Sequence, residues 1–364
     1  MTSSDPVVIV SCARTAMGGL QGDFATVTAA ELGGVAIKAA LERGGVAPDD
    51  IDEVIMGNVL PAGQGQAPAR QAAIKGGLPK SVEATTLNKM CGSGMQAAIM
   101  GRASIASGDA SVIVAGGMES MTNAPHLLPN HRTGFKYGHD VIKDHMAQDG
   151  LEDAYEGNAM GVFADMIARE HQFTREDQDA YALETLARAI RATEQGDFKR
   201  EITPVTIKDR KGETVVETDE LPRKARPEKI PSLKPAFGKD GTVTAANASA
   251  ISDGAAALVM MRQSEAERRG LKPLAKIVAT AAHAHEPAYF TTAPVPAMRK
   301  VLEKAGLIER GRQAQWRPCR LNAAGLKDAF DWVAEYRRFW EQSFDRLEAY
   351  LDEIQNKDAS DDRH

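Results

Sequence analysis

A chain of 364 residues with 43% hydrophobic and 26% charged positions has the balance of an ordinary globular protein and the length for a large core or two domains. Its formal net charge of −6 at pH 7 argues against generic nucleic-acid binding, and no apolar run approaches the length of a bilayer span. Three widely separated cysteines, Cys12, Cys91 and Cys319, suggest no disulfide framework, and Thr2-Ser3-Ser4-Asp5-Pro6 lacks the regions of a signal peptide, so a reducing cytoplasm is the expected compartment.

Val7-Val8-Ile9-Val10 predicts an opening strand, Ala29 to Arg43 a helix, and Glu53-Val54-Ile55-Met56-Gly57 a second strand. Such alternation predicts a parallel sheet covered by helices. A Gly-rich loop, Gly63 to Gln66, leads into a helix opened by Pro68. It lacks the Lys-Ser/Thr ending of a phosphate loop, so packing or subunit contact is its expected role.

The richest stretch is Asn88-Lys89-Met90-Cys91-Gly92-Ser93-Gly94-Met95, a lone cysteine among small residues where a loop turns into a helix. Gly92, Ser93 and Gly94 let a substrate approach the backbone closely. A helix N-terminus favours a thiolate, and its N–H groups can hold an oxyanion, so Cys91 reads as a nucleophile for an acyl carbon. The local pattern alone leaves a buried, inert cysteine equally open.

Ala110 to Ala115 follows as a short β-branched run and ends in Gly116-Gly117-Met118-Glu119-Ser120-Met121. From about Thr122 to Ala246 the pattern is irregular, with helices near Met160 to Glu170 and Arg175 to Gln195. Within it, Pro222 to Lys229 is cationic in an otherwise acidic protein. Ala255 to Met261 reads as a return to the buried sheet, Leu274 to Ala279 as a further strand, and Ala297 to Ala305 as a helix. His283 and His285 form a close pair, read as a solvated turn and not as metal ligands.

The Asn88–Gly94 and Gly116–Met121 stretches strongly resemble the thiolases, the acyl-CoA C-acyltransferases. Cys12-Ala13-Arg14-Thr15, Gly63 to Ala73, Asn247 to Gly254 and Ala293 to Ala297 carry the same resemblance, which covers Met1 to about Leu307. It implies an α/β fold of the layered α/β/α thiolase type with an inserted loop domain. The implied first half comprises 1–121 and 247–270, the loop domain over the CoA side 122–246, and the start of a truncated second half 271–307. The family's Asn-Glu-Ala-Phe, Gly-His-Pro and Cys-x-Gly-Gly-Gly segments are absent after Leu307.

All three tryptophans, Trp316, Trp332 and Trp340, fall in 308–364, which marks a segment of different origin. Val333, Tyr336, Trp340, Phe344, Leu347, Leu351 and Ile354 recur at helical steps and predict an unrelated long C-terminal amphipathic helix over about 328–355. Residues 309–355 resemble the wing strand and dimerisation helix of ArsR-type winged-helix repressors. No recognition helix precedes them, so DNA binding is not inherited, and the join looks like a fused reading frame.

The thiolase resemblance implies that Cys91 takes an acyl group from a 3-ketoacyl-CoA or acyl-CoA and passes it to a second CoA-bound nucleophile. Ser249 and Met160 match residues that line the pantetheine tunnel, and Arg223 matches an arginine near the adenine end. The histidine base and the second cysteine belong to the absent segments, so impaired turnover is expected. The implied partners are acyl-CoA and CoA, with no permanent cofactor and no metal, and a homo-oligomer through the thiolase dimer face. A catalytically silent CoA-binding or oligomerising remnant is the alternative.

Overall fold

The computed structural model describes residues 5–134, 136–210, 212–310, 319–322 and 327. In chain order the first elements are β1 (Val7–Arg14), β2 (Gly18–Gly19), α1 (Ala29–Gly44), β3 (Glu53–Gly57), α2 (Pro68–Lys75), β4 (Glu83–Leu87), α3 (Ser93–Ser107) and β5 (Val112–Ser120). The segment after β5 carries the ladders β6 (His126–Leu127) with β7 (Lys143–Asp144) and β8 (Val205–Asp209) with β9 (Gly212–Val216). It also carries α4 (Met160–Glu170), α5 (Arg175–Gln195) and α6 (Glu220–Lys224). The remaining elements are β10 (Ser252–Arg262), α7 (Gln263–Arg268), β11 (Ala275–Lys276), α8 (Pro294–Lys304), β12 (Ile308–Arg310) and β13 (Cys319–Leu321).

Two compact units divide the chain. The described residues of the first fall within Met1–Val278 and Glu286–Thr291, and those of the second within Ala279–His285 and Thr292–His364. The first unit is built on a sheet of order β11-β1-β10-β5-β3-β4, with β2 paired to β10. β3 runs parallel to both β4 and β5, whereas β10 is antiparallel to both β1 and β5. The expected all-parallel sheet is thus a mixed one. A strand buried on both faces reads as a continuous apolar run in either direction, so hydropathy alone does not give its orientation.

Side chains alternate between the two faces. Val8, Val54, Met56, Val112, Val114 and Met261 pack into the larger core with α1 and α2. Val7, Ile55, Ile113, Ala115 and Met260 pack on the opposite face with Ala97 and Ile105 of α3. The result is helices on both faces of one sheet, a period-2 pattern expressed twice.

Helix ends follow from sequence. Thr28 caps α1 and Thr174 caps α5, each with an acidic residue three positions on completing a capping box, while Gly45 and Gly196 end them in the left-handed region. The loop over Gly63 to Gln66 is folded on itself: Gln71 Nε2 donates to the carbonyls of Gln64 and Gln66 at 2.8 Å each. Gly63 and Gly65 take φ of 76° and 83°, the left-handed region that favours glycine.

The stretch expected as a strand over Leu274 to Ala279 contributes only Ala275–Lys276, paired to Ile9 and Val8 at the edge of the first unit's sheet. In the second unit, α8 begins at Pro294, earlier than Ala297, because a proline fits the first helical position. Lys300 and Lys304 donate to the carbonyls of Ala282 and Thr280. Among the described residues the His283 and His285 rings meet edge to face, and Lys300 Nζ lies 3.2 Å from His283 Nδ1. The helix expected over 328–355 lies outside the described residues.

Candidate active site

Three glycines bring α3 onto the sheet. A Cβ on Gly57, the last residue of β3, would lie 2.6 Å from the main-chain carbon of Ser93 and 2.7 Å from the Gly94 nitrogen. A Cβ on Gly117 of β5 would lie 3.3 Å from the Cα of Gly94. The first turn of α3 therefore rests directly on the carboxyl ends of two parallel strands, the edge where open α/β sheets bind ligands.

Cys91 sits in the turn between β4 and that helix. Met90 just before it has φ 51°, the left-handed region that a bulky residue occupies only under constraint. The constraint is visible. Asn88 Oδ1 accepts the Met90 N–H at 2.8 Å, while Ser93 Oγ accepts the Lys89 N–H at 2.8 Å and donates to the Met90 carbonyl at 2.5 Å. Gly92 at the N-cap has no side chain to cap α3; the Ser93 N–H turns back to the Met90 carbonyl at 3.0 Å, and the Gly94 and Met95 amides of the first turn are left for a ligand. Cys91 is exposed, which removes the buried, inert alternative.

The thiol lines a cavity of about 370 Å³ whose wall is mostly apolar, with Met17, Val59, Leu60, Met118, Met121 and Leu151 contributing. Arg14 and Glu119 alone are charged among the described residues that line it. Arg14 is committed elsewhere: it donates to Asp219 at 2.8 and 3.0 Å and to Glu201 at 2.8 Å, and stacks over Phe198.

Glu119 accepts N–H groups from Asn58 Nδ2 and Val59, each at 2.7 Å, and from Leu60 at 3.3 Å. Burial pushes its carboxyl above the ordinary glutamate range, against the opposing pull of those amides. Asp253 on β10, fully buried, is raised for the same reason. Buried His145 donates through Nδ1 to Asp149 at 2.6 Å and accepts the Ala62 N–H at Nε2, so it ties the segment after β7 to the 58–62 wall. Nδ1 carries the proton, because Nε2 faces the Ala62 donor. Asn58 Oδ1 is buried without a partner among the described residues.

The other expected site residues do not line this cavity. Ser249 is exposed in the loop before β10, beyond a turn that Asn247 ties to Asp179 of α5 at 3.0 Å. Met160 is half-buried as the first residue of α4. Arg223 on α6 forms an ion pair with Asp23, and its neighbour Lys224 with Glu220. Glu119, Asn58 and His145 were not singled out from sequence. A charged residue at the end of an apolar strand run was the available signal for Glu119, and the other two carried none.

The family model for Thiolase, N-terminal domain matches residues 7–264. Acetyl-CoA acetyltransferase of Rhizobium meliloti (strain 1021) is 51% identical over 305 residues, covering 84% of this chain and 77% of that protein. The protein of the same name from Cupriavidus necator is 48% identical over 326 residues, covering 89% and 81%. That of Pseudomonas aeruginosa is 46% identical over 339 residues, covering 88% and 86%. With a glycine-seated helix start presenting an exposed cysteine to an apolar cavity, and with matches of this extent, the chain belongs to the thiolase family of acyltransferases.

Proposed function

We propose that the chain forms an acyl-cysteine at Cys91 from acetyl-CoA or a short 3-ketoacyl-CoA and turns over slowly. The observation that carries this reading is the placement of Cys91: exposed, at an uncapped helix start, on a cavity of about 370 Å³ with a mostly apolar wall. The Gly94 and Met95 amides of α3 suit the oxyanion that forms when the thiol adds to a thioester. The relatives' printed name, acetyl-CoA acetyltransferase, supports an acetyl group as the transferred unit.

Slow turnover follows from what the sequence after Leu307 does not contain, a Gly-His-Pro and a Cys-x-Gly-Gly-Gly segment. Each lost acid–base or oxyanion role costs about two to four orders of magnitude in rate. CoA recognition is assigned to Ser249, Met160 and Arg223, the last on a segment with Lys224, Arg226 and Lys229 close by for the phosphates. Arg223 must share its charge with Asp23 to do so.

Calorimetric titration with CoA beside an assay of acetoacetyl-CoA thiolysis tests the proposal. Measurable CoA affinity with weak thiolysis is expected. Absence of CoA binding refutes the assignment of its three contacts, and thiolysis at the rate of the full-length relatives refutes slow turnover.

A further inference from the structure

The cavity contains one carboxylate and one thiol, and nothing else among its described lining residues is free to take a proton. The Ser93 hydroxyl is spent between the Lys89 N–H and the Met90 carbonyl, and the Ser252 hydroxyl donates to the Ala250 carbonyl. Arg14 has no acceptor site and is held by two carboxylates.

Resting on the acyl-cysteine reading above, we infer that Glu119 is the proton acceptor for Cys91 in this cavity. As the Cys91 Sγ–H bond breaks, its proton passes to a Glu119 oxygen, directly or through one water, and the sulfur bonds to the thioester carbon. When the carbon–sulfur bond to CoA breaks, the departing thiolate takes that proton back. The products are acyl-Cys91 and CoA thiol, Glu119 is again a carboxylate, and no oxidation is involved.

The carboxylate has capacity for this. An ionised carboxyl offers about four acceptor positions. Asn58, Val59 and Leu60 fill three of them, which fixes the group in place and leaves one open. Its partial burial raises its proton affinity above that of an ordinary glutamate, against the pull of the Val59 and Leu60 amides. The titratable groups facing it are His145 beyond β7, a neutral imidazole held by Asp149 and the Ala62 N–H, and Asp253 on β10, whose charge opposes that of Glu119. Arg14 and Cys91 share the cavity.

A rival role exists for the same contacts, since Glu119 also props the 58–60 segment that forms one wall. The two roles differ in their response to added carboxylates. The experiment uses the full chain with acetyl-CoA, quenched at intervals, and follows the acetylated Cys91 peptide by mass spectrometry. Glu119→Ala should slow acetylation by about 10²- to 10⁴-fold. Added chloroacetate, formate and acetate should restore it, with recovery rising in the order of their basicity. Recovery that ignores basicity, or an unchanged rate in Glu119→Ala, overturns the inference and leaves Glu119 a wall support. Should Glu119→Ala fail to fold, Glu119→Gln decides: loss of acetylation with iodoacetamide alkylation of Cys91 retained supports proton transfer, and retained acetylation overturns it. If Cys91 of the unaltered chain is alkylated but never acetylated, the acyl-cysteine reading itself falls, and this inference with it.

Discussion

Arg14 grips Asp219 with two guanidinium nitrogens, at 2.8 and 3.0 Å, across 205 positions of sequence. Glu201 takes the remaining Nε–H at 2.8 Å, and Asp219 also accepts the Met17 N–H at 2.8 Å. The end of β1 is thereby tied to two separate parts of the segment between β5 and β10. Asp219 is buried, so Arg14→Met leaves an unpaired carboxylate there and should cost about 3 kcal/mol. Urea unfolding of Arg14→Met beside the double variant Arg14→Met/Asp219→Leu checks this: the double variant should recover most of the loss, and a single variant as stable as the parent contradicts the account.

Gly57→Ala should unseat the nucleophile without touching it. The new methyl would meet the main chain of Ser93 and Gly94, which cannot rotate away as a flexible side chain can. Overpacking of this kind costs about 1–3 kcal/mol. Acetylation of Cys91 should fall more than thermal stability does, because the α3 start moves while the two cores persist. Equal rates in both proteins would show that the turn is not held by this contact.

Cys91 should be alkylated before Cys12. Cys91 is exposed at the α3 start, whereas Cys12 is half-buried within β1 and its main chain is paired to Leu258. Limiting iodoacetamide followed by peptide mapping measures the order, and faster labelling of Cys12 contradicts it.

Stability should decline in acid partly through Glu265 on α7. Hydrogen bonds from Arg268 and Arg269 lower its pKa to about 2, from an ordinary 4.5. A depressed carboxyl contributes its stabilisation above the unfolded value and loses it as pH falls toward the folded one, so the window runs from about 4.5 down to 2. Glu265→Gln should therefore lower stability by about 1 kcal/mol at pH 7, after allowance for solvent screening, and by little near pH 2. Parallel pH–stability curves for the two proteins would contradict this.

What was legible in the sequence was local. The boundaries of α4 and α5 follow from their apolar spacing, and that of α5 also from the Thr174–Asp177 cap. The Cys91 turn was legible because its small residues, lone nucleophile and helix start occur within eight positions. The direction of β10 was not, since Ala255 to Met261 is apolar whichever way it runs. Nor were the settings of Glu119 and His145, because each is fixed by main-chain N–H groups of a distant loop, and those groups leave no mark in residue identity. Nor was the ion pair of Arg223, since Asp23 lies 200 positions away and is brought beside it only by the fold.

The position of β10 bears on how the protein is made. It lies between β1 and β5, yet β5 ends at Ser120 and β10 is encoded only from Ser252 onward. On a ribosome adding about 5–20 residues per second, β5 must wait on the order of 10 s for its neighbour to emerge. During that interval both β1 and β5 present open hydrogen-bonding edges, and nascent chains brought close together could pair there instead. Holding factors that shield unfinished sheets should therefore raise the yield of this protein more than slower initiation would.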